Sequence, residues 1–259
     1  MEILREEFLE NYLSQINFDL KAAFGEIQKA ALSPNSFTFY TSVAVISSSR
    51  IEGETMEVDS YIKHKVQHIE YLPELTEKPN DLFKAYLFAH ENRLTSENFL
   101  KAHIIISQHL LPEKWRWVYR RNEMLVLEHH TGNIQFEAAP VKIVDSEMQR
   151  LWNDIEHLIK RDLSLEEAFY HASCIHLQFV CIHPFNDANG RAGRLLEKWF
   201  LAEKLGDTAW FVQSEKYYYE HVAQYYKNLN KLGIFYDQLD FEKALPFLLM
   251  LPGSLKSAN

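Results

Sequence analysis

Residues 183 to 194 read His183-Pro184-Phe185-Asn186-Asp187-Ala188-Asn189-Gly190-Arg191-Ala192-Gly193-Arg194. His183 is the one group in this stretch that accepts a proton near neutral pH. Asp187 offers a hard oxygen of the kind Mg²⁺ takes when phosphates and water complete its shell. If a helix starts at Gly190 or Arg191, the unpaired amides of Asn189, Gly190 and Arg191 and the positive end of the helix dipole make an anion site. Small residues at 188 and 190 let phosphate oxygens approach the backbone. Arg191 and Arg194, three apart on that helix, can turn both guanidinium groups toward one polyphosphate. These are the parts needed to hold a nucleoside triphosphate and take a proton from its attacker.

The flanking sequence reads as helices that place this loop. Ser164 with Glu167 is a capping box opening a helix over about 164–181. Pro184 disfavours helix at His183, so a loop follows and a new helix runs to about Leu205. Upstream, near-helical apolar spacing over residues 2–31 predicts an amphipathic helix, broken near Asn17 and ended by Ser33-Pro34-Asn35-Ser36. A helix from Phe37 to Glu52 would end on Gly53 in the left-handed turn. Further helices are expected over about 80–92, 95–110 and 145–161, with two or three more finishing the chain near Leu251. Between Trp117 and Phe136, apolar residues flank His130-Thr131-Gly132-Asn133, the pattern of a β-hairpin that Pro140 ends.

The 183–194 stretch resembles the Fic-domain signature, His-Pro-Phe-x-(Asp/Glu)-(Gly/Ala)-Asn-Gly-Arg-x-x-Arg, at every specified position. The resemblance covers about residues 37 to 230. It implies an all-α fold, a Fic-type helical bundle with a small β-hairpin flap, with N-terminal helices over 1–60 and the catalytic core over 61–259. It also implies a protein adenylyltransferase that moves AMP from ATP to a Ser, Thr or Tyr hydroxyl of a protein substrate. His183 would be the general base and Asp187 the Mg²⁺ ligand. Ala188, Asn189, Gly190, Arg191, Ala192, Gly193 and Arg194 would bind ATP, with Asn189 and Gly190 as the anion hole and Arg194 on the γ-phosphate. Relatives acting as kinases carry Lys where this chain has Gly190. Ala188 stands where Gly is commoner; because alanine disfavours positive φ, a negative φ is expected there.

Ser48-Ser49-Arg50-Ile51-Glu52-Gly53 resembles the family's inhibitory motif, (Ser/Thr)-x-x-x-Glu-(Gly/Asn). Ser48, Glu52 and Gly53 are its matching residues. Glu52 would then hold the arginine that the γ-phosphate needs. A carboxylate at the negative end of its own helix dipole also costs about 0.3 to 1 kcal/mol when unanswered, so a cationic partner is expected on physical grounds. Alternative readings are a de-AMPylase in which Glu52 orients water, and an ATP-binding interaction module without turnover.

The hairpin would be the flap, with Ile134, Gln135, Phe136 and Glu137 offering a strand edge to an extended target. Tyr226, after the signature, is the candidate nucleotide contact in an aromatic-rich region. His103 reads as a packed histidine, and His129 and His130 as solvated turn residues. Lys114, Arg116, Arg120 and Arg121 read as the solvated start of the hairpin.

Composition narrows the rest. A formal net charge of -9 argues against a nucleic-acid partner, which needs a clustered basic face. No apolar run is long enough to span a bilayer, and the acidic opening residues lack a signal-peptide pattern, so no membrane partner and a cytoplasmic location are expected. A homodimer is left open. Cys174 and Cys181, about 10 Å apart on one helix, are beyond disulfide reach and read as buried thiols.

Overall fold

The computed structural model describes residues 1–30, 36–127 and 134–256. The expected helix terminator at 33–35, the hairpin turn at 130–133, and His129 and His130 lie outside them. Thirteen α-helical segments among the described residues surround one small sheet: α1 (Leu9–Gln15), α2 (Leu20–Ala30), α3 (Ser36–Ile51), α4 (Val58–Val66), α5 (Pro73–Glu91), α6 (Ser96–Ile106), β1 (Leu125–Leu127), β2 (Ile134–Glu137), α7 (Val144–Lys160), α8 (Leu165–Ile182), α9 (Asn189–Leu205), α10 (Ser214–Glu220), α11 (Val222–Asn230), α12 (Leu245–Leu248) and α13 (Met250–Gly253). The fold is all-α with a two-stranded hairpin, as the sequence predicts.

The centre is the pair α8 and α9. Every residue of α8 from Ala168 to Ile182 is buried, which marks a helix enclosed on all sides rather than amphipathic. Ser164 accepts from the Glu167 amide at 3.2 Å while Glu167 accepts from the Ser164 amide at 2.8 Å, so the capping box is formed. Gly193 allows α9 to approach α8, because a Cβ there would lie 3.0 Å from Val180 Cγ1 and 3.2 Å from His176 Cδ2.

α3 is equally enclosed, with Thr41 to Ser49 all buried, and it lies against α4, α5 and α10. It ends in a Schellman turn: the Glu54 amide donates to Ser49 O at 3.1 Å and the Gly53 amide to Arg50 O at 3.0 Å, with Gly53 at φ +90°. This turn carries Glu52 off the helix end.

Some boundaries differ from the sequence reading. Residues 1–8 are not helical, because the Asp154 carboxylate on α7 accepts from the amides of Glu2, Ile3 and Leu4 at 2.6 to 2.8 Å. The break near Asn17 is present between α1 and α2. α5 begins at Pro73, not near Asn80; Pro73 suits a first turn, and Pro79 lies buried inside the helix. α6 stops at Ile106, and the strands are shorter than predicted, since Trp117 and Val118 lie outside them. Cys174 and Cys181 are buried free thiols, pushed up to about 12 by burial.

His171 on α8 is fully buried, and neither ring nitrogen has a hydrogen-bond partner among the described residues. Burial pushes it down to about 4, against the charges of Glu6, Glu167 and Asp154 that favour its proton, while Arg161 disfavours it. The unfolded chain therefore binds more protons than the folded one below the ordinary histidine range, and stability falls as pH drops from about 6.5 toward 4. His171→Phe should flatten this slope by on the order of 2 kcal/mol, read as denaturant midpoints across that window; an unchanged slope would assign the acid sensitivity elsewhere.

Candidate active site

The α8–loop–α9 turn holds the signature residues. His183 caps α8 in the left-handed conformation, φ +52° and ψ +59°. This swings its ring out of the helix, with Nδ1 3.4 Å from Val180 O, the helix carbonyl one turn back. Nδ1 carries the proton in that contact, leaving the Nε2 lone pair as the accepting atom. Burial pushes the imidazole down to about 4; Val180 O and the Glu52 charge work against this and Arg120 works with it. His183 is thus neutral at physiological pH. Phe136 of β2 stands edge-on to it, ring centres 5.7 Å apart, so the hairpin reaches the His183 ring.

Beyond it, Ala188 caps the start of α9 at φ +67°, which corrects the expected negative φ. The chain must reverse between Ile182 and Asn189, and the Asp187 carboxylate accepting from the Ala188 amide at 2.5 Å stabilises the turn that holds this backbone. Asn189 accepts from the Phe185 amide at 2.9 Å and donates to Phe185 O at 2.8 Å. Its side chain is therefore a loop staple, and only its backbone amide is left for an anion. Ala192 is buried and Gly193 meets α8, so these two serve helix contact and not the site.

His103 supports the loop from below. Its ring stacks on Phe185 at 3.5 Å, and its nitrogens meet Arg116 O at 2.8 Å and Asp187 O at 3.1 Å. It is packed as expected, but both nitrogens face carbonyl acceptors and the neutral ring that burial favours can donate to only one of them. Asp187 itself is exposed. Among the described residues no group of three or more His, Cys, Asp or Glu could hold a metal alone. A single outward carboxylate beside an anion site fits Mg²⁺ shared with a bound polyphosphate.

The two arginines differ. Arg194 is 1% exposed and fully engaged: Nε donates to Ser48 Oγ at 2.8 Å, and Nη2 to Ser48 O at 3.1 Å and to Glu52 Oε1 at 2.7 Å. Burial disfavours both charges, yet each holds the other ionised, with the Glu52 carboxyl lowered and the Arg194 guanidinium raised. Arg191 is 5% exposed, but its Nε and Nη1 have no partner among the described residues and its nearest carboxylate, Glu54, is 3.8 Å from Nη2. Unpaired buried donors of this kind cost about 1 to 3 kcal/mol. They are poised for an anion.

Glu52 occupies the place that anion would take. A Cβ on Gly190 would collide with its carboxylate, so the Glu52 oxygens lie directly over the first turn of α9. Beside it opens a cavity of about 930 Å³ lined by Ile51, Glu52, Val126, Gln135 and Tyr226, among others, between α3, the hairpin and α11. Tyr226 reaches Ile51 O at 3.4 Å.

The flap strands pair antiparallel, Val126 opposite Phe136 and Leu125 opposite Glu137. The outward amide of Glu137 already donates to Ile234 O at 2.7 Å. The free edge of β2 is therefore confined to Ile134 through Phe136, shorter than the four residues expected. Arg120, read from sequence as solvated, is completely buried beneath the site. Its partners are backbone carbonyls, which leave no signature in the sequence. Glu54 also went unnoticed, having no motif position.

Comparisons with known proteins agree with this geometry. The Fic/DOC family model matches residues 93–201. No curated protein sequence matches the chain. Among solved structures, a Fic family protein from Desulfovibrio desulfuricans G20 superposes with a TM-score of 0.73 at 22% identity, over 92% of this chain and 71% of that one. A Fic domain containing signaling protein from Bacteroides thetaiotaomicron VPI-5482 gives 0.67 at 17% identity, over 91% of each. Fic-1 from C. elegans gives 0.60 at 14%, over 97% and 67%. At these identities the likeness is one of fold, and the family match is to the segment that holds His183, Asp187 and both arginines, so that over residues 93–201 the chain is similar to the Fic/DOC family.

Proposed function

We propose that the protein is an adenylyltransferase acting on protein hydroxyl groups and restrained by its own Glu52. The observation that carries this reading is the pairing of a neutral His183 with an anion site that Glu52 fills in the absence of a ligand. ATP would place its base in the cavity beside Tyr226 and its phosphates over Gly190, against the orphaned donors of Arg191. Mg²⁺, when bound between Asp187 and the phosphates, supplies charge neutralisation. A Ser, Thr or Tyr hydroxyl of a target segment held on the flap edge attacks the α-phosphorus, His183 Nε2 takes the hydroxyl proton, and pyrophosphate departs. Such a step depends on positioning and charge stabilisation more than on covalent work by the enzyme.

Glu52 restrains it by competition. At an effective dielectric near 20, a pair of opposite charges about 4 Å apart is worth about 4 kcal/mol before desolvation. A polyphosphate must displace that interaction to reach Arg194. The ion pair of Glu52 with Arg194 at 2.7 Å supports the brake over a de-AMPylating role for the same residue.

Labelled ATP with Mg²⁺ tests the reading. Glu52→Gly should raise AMP transfer to protein at least about tenfold, and adding His183→Ala should lower it by on the order of 10²- to 10⁴-fold. Equal labelling by wild type and Glu52→Gly removes the brake; release of AMP from a premodified target by the wild type would favour the reverse reaction.

Thermal unfolding provides a second measurement. Removing Glu52 leaves Arg194 buried without its counter-charge, so Glu52→Ala should melt several degrees lower without ligand and gain more than wild type on addition of ATP and Mg²⁺. A smaller ATP-induced rise in the variant would contradict competition for the arginine.

The acid limb of transfer provides a third. Protonation of His183 disables the base, and the groups facing it are Glu52, which favours that proton, and Arg120, which opposes it. In Glu52→Gly the rate should hold down to about pH 4 to 5 instead of falling near the ordinary histidine value of about 6.5. A half-maximal rate near 6.5 would show that burial does not depress the His183 imidazole in the working enzyme.

A further inference from the structure

Arg120 lies in the segment before β1, is completely buried, and makes no ion pair among the described residues. Its five donor contacts all end on backbone carbonyls. Nε donates to His183 O at 2.8 Å and Nη2 to Ile182 O at 3.2 Å, while its own amide donates to Pro184 O at 2.8 Å. Three consecutive carbonyls at the end of α8, left without helical partners by the turn at His183, are thus answered by one residue. The rest of the guanidinium reaches the hairpin: Nη1 donates to Asn122 O at 2.8 Å, before β1, and Nη2 to Ala139 O, after β2. Both feet of the flap and the peptide bearing the base converge on one planar group.

We propose that Arg120 is a positioning residue that holds His183 in its left-handed conformation and fixes the flap in register with it, so that flap and base move as one unit. The role rests on the assignment of His183 as the base. A non-glycine residue at φ +52° stores strain and persists only where its surroundings over-determine it. Here the over-determination comes from the forked guanidinium, whose fixed plane sets the angle between the α8 terminus and the two hairpin feet. Lysine would keep the charge but could not span both. Phe136 against the His183 ring is the outer sign of the same registration.

The experiment compares wild type, Arg120→Lys and Arg120→Met by amide hydrogen exchange without ligand, and by AMP-transfer kinetics in the Glu52→Gly background. The reporters are the amides of Glu137 and Ala138 in the flap, bonded to Ile234 O and Met124 O, and those of His183 and Phe185 in the loop, bonded to Phe179 O and Asn189. Arg120→Lys should speed exchange at both sets together by at least about tenfold while α7 and the first half of α8 keep their protection. In kinetics, kcat should fall at least about tenfold with KM for ATP within about threefold. Lysine that matches wild type in exchange, acceleration confined to one set, or an equal rise throughout the fold would each overturn the proposal. If Glu52→Gly transfers no AMP at all, the proposed function fails, and the exchange measurement still decides the role of Arg120. Should Arg120→Met not fold, the lysine variant carries the same decision.

Discussion

The first turn of α9 requires an anion. Its free amides, the positive end of its dipole and two buried guanidinium groups converge on the space above Gly190, and no protein of this size leaves such a field unanswered without cost. In the ligand-free chain Glu52 answers it. Much of the surrounding structure follows: α3 must be enclosed to hold Glu52 at that height, its Schellman turn must release the carboxylate from the helix end, and Ser48 must meet Arg194 from the same helix.

Behind that face lies a buried polar layer that keeps Arg194 in place. Tyr225 stands beside the guanidinium and is held by His176 at 3.0 Å, which in turn meets Glu197 Oε2 at 2.8 Å; Tyr218 donates to the same oxygen at 2.9 Å. A second pair, Lys198 with Glu215 at 2.5 Å and Tyr86 donating to Glu215 at 2.6 Å, lies on the α5 side of α9. Buried networks of this sort are costly when incomplete and specify a single arrangement when satisfied. Here they immobilise α9, whose first turn faces Glu52. Glu197 Oε1 has no partner among the described residues, so within them the layer is not fully satisfied.

Sequence patterning served well where the physics is local. Ser164 with Glu167, the stop at Pro184 and the glycine after Glu52 each act within a few residues of themselves, and each is present as read. Reading failed where a distant partner decides. Residues 1–8 are not helical because Asp154, some 150 positions on, takes their amides. Arg120 looked like a surface cation because its partners are carbonyls, and any residue supplies a carbonyl. Alanine disfavours positive φ, yet at Ala188 the short reversal between α8 and α9 and the Asp187 side chain impose it.

The chain's sequence determined the chemistry available: a base, an outward carboxylate, an anion-binding helix start and two arginines within twelve positions, together with a second motif ending in Glu52. Their order and spacing set which groups share a turn. Only the tertiary structure decided which of them are free to act. It turned the Asn189 side chain and Gly193 to internal contacts, gave Arg194 to Glu52, left Arg191 Nε and Nη1 without a partner among the described residues, and tied both ends of the hairpin to the His183 peptide through Arg120. The reason is physical: availability depends on which neighbours compete for each donor and acceptor, and those neighbours are brought together by folding across more than a hundred residues.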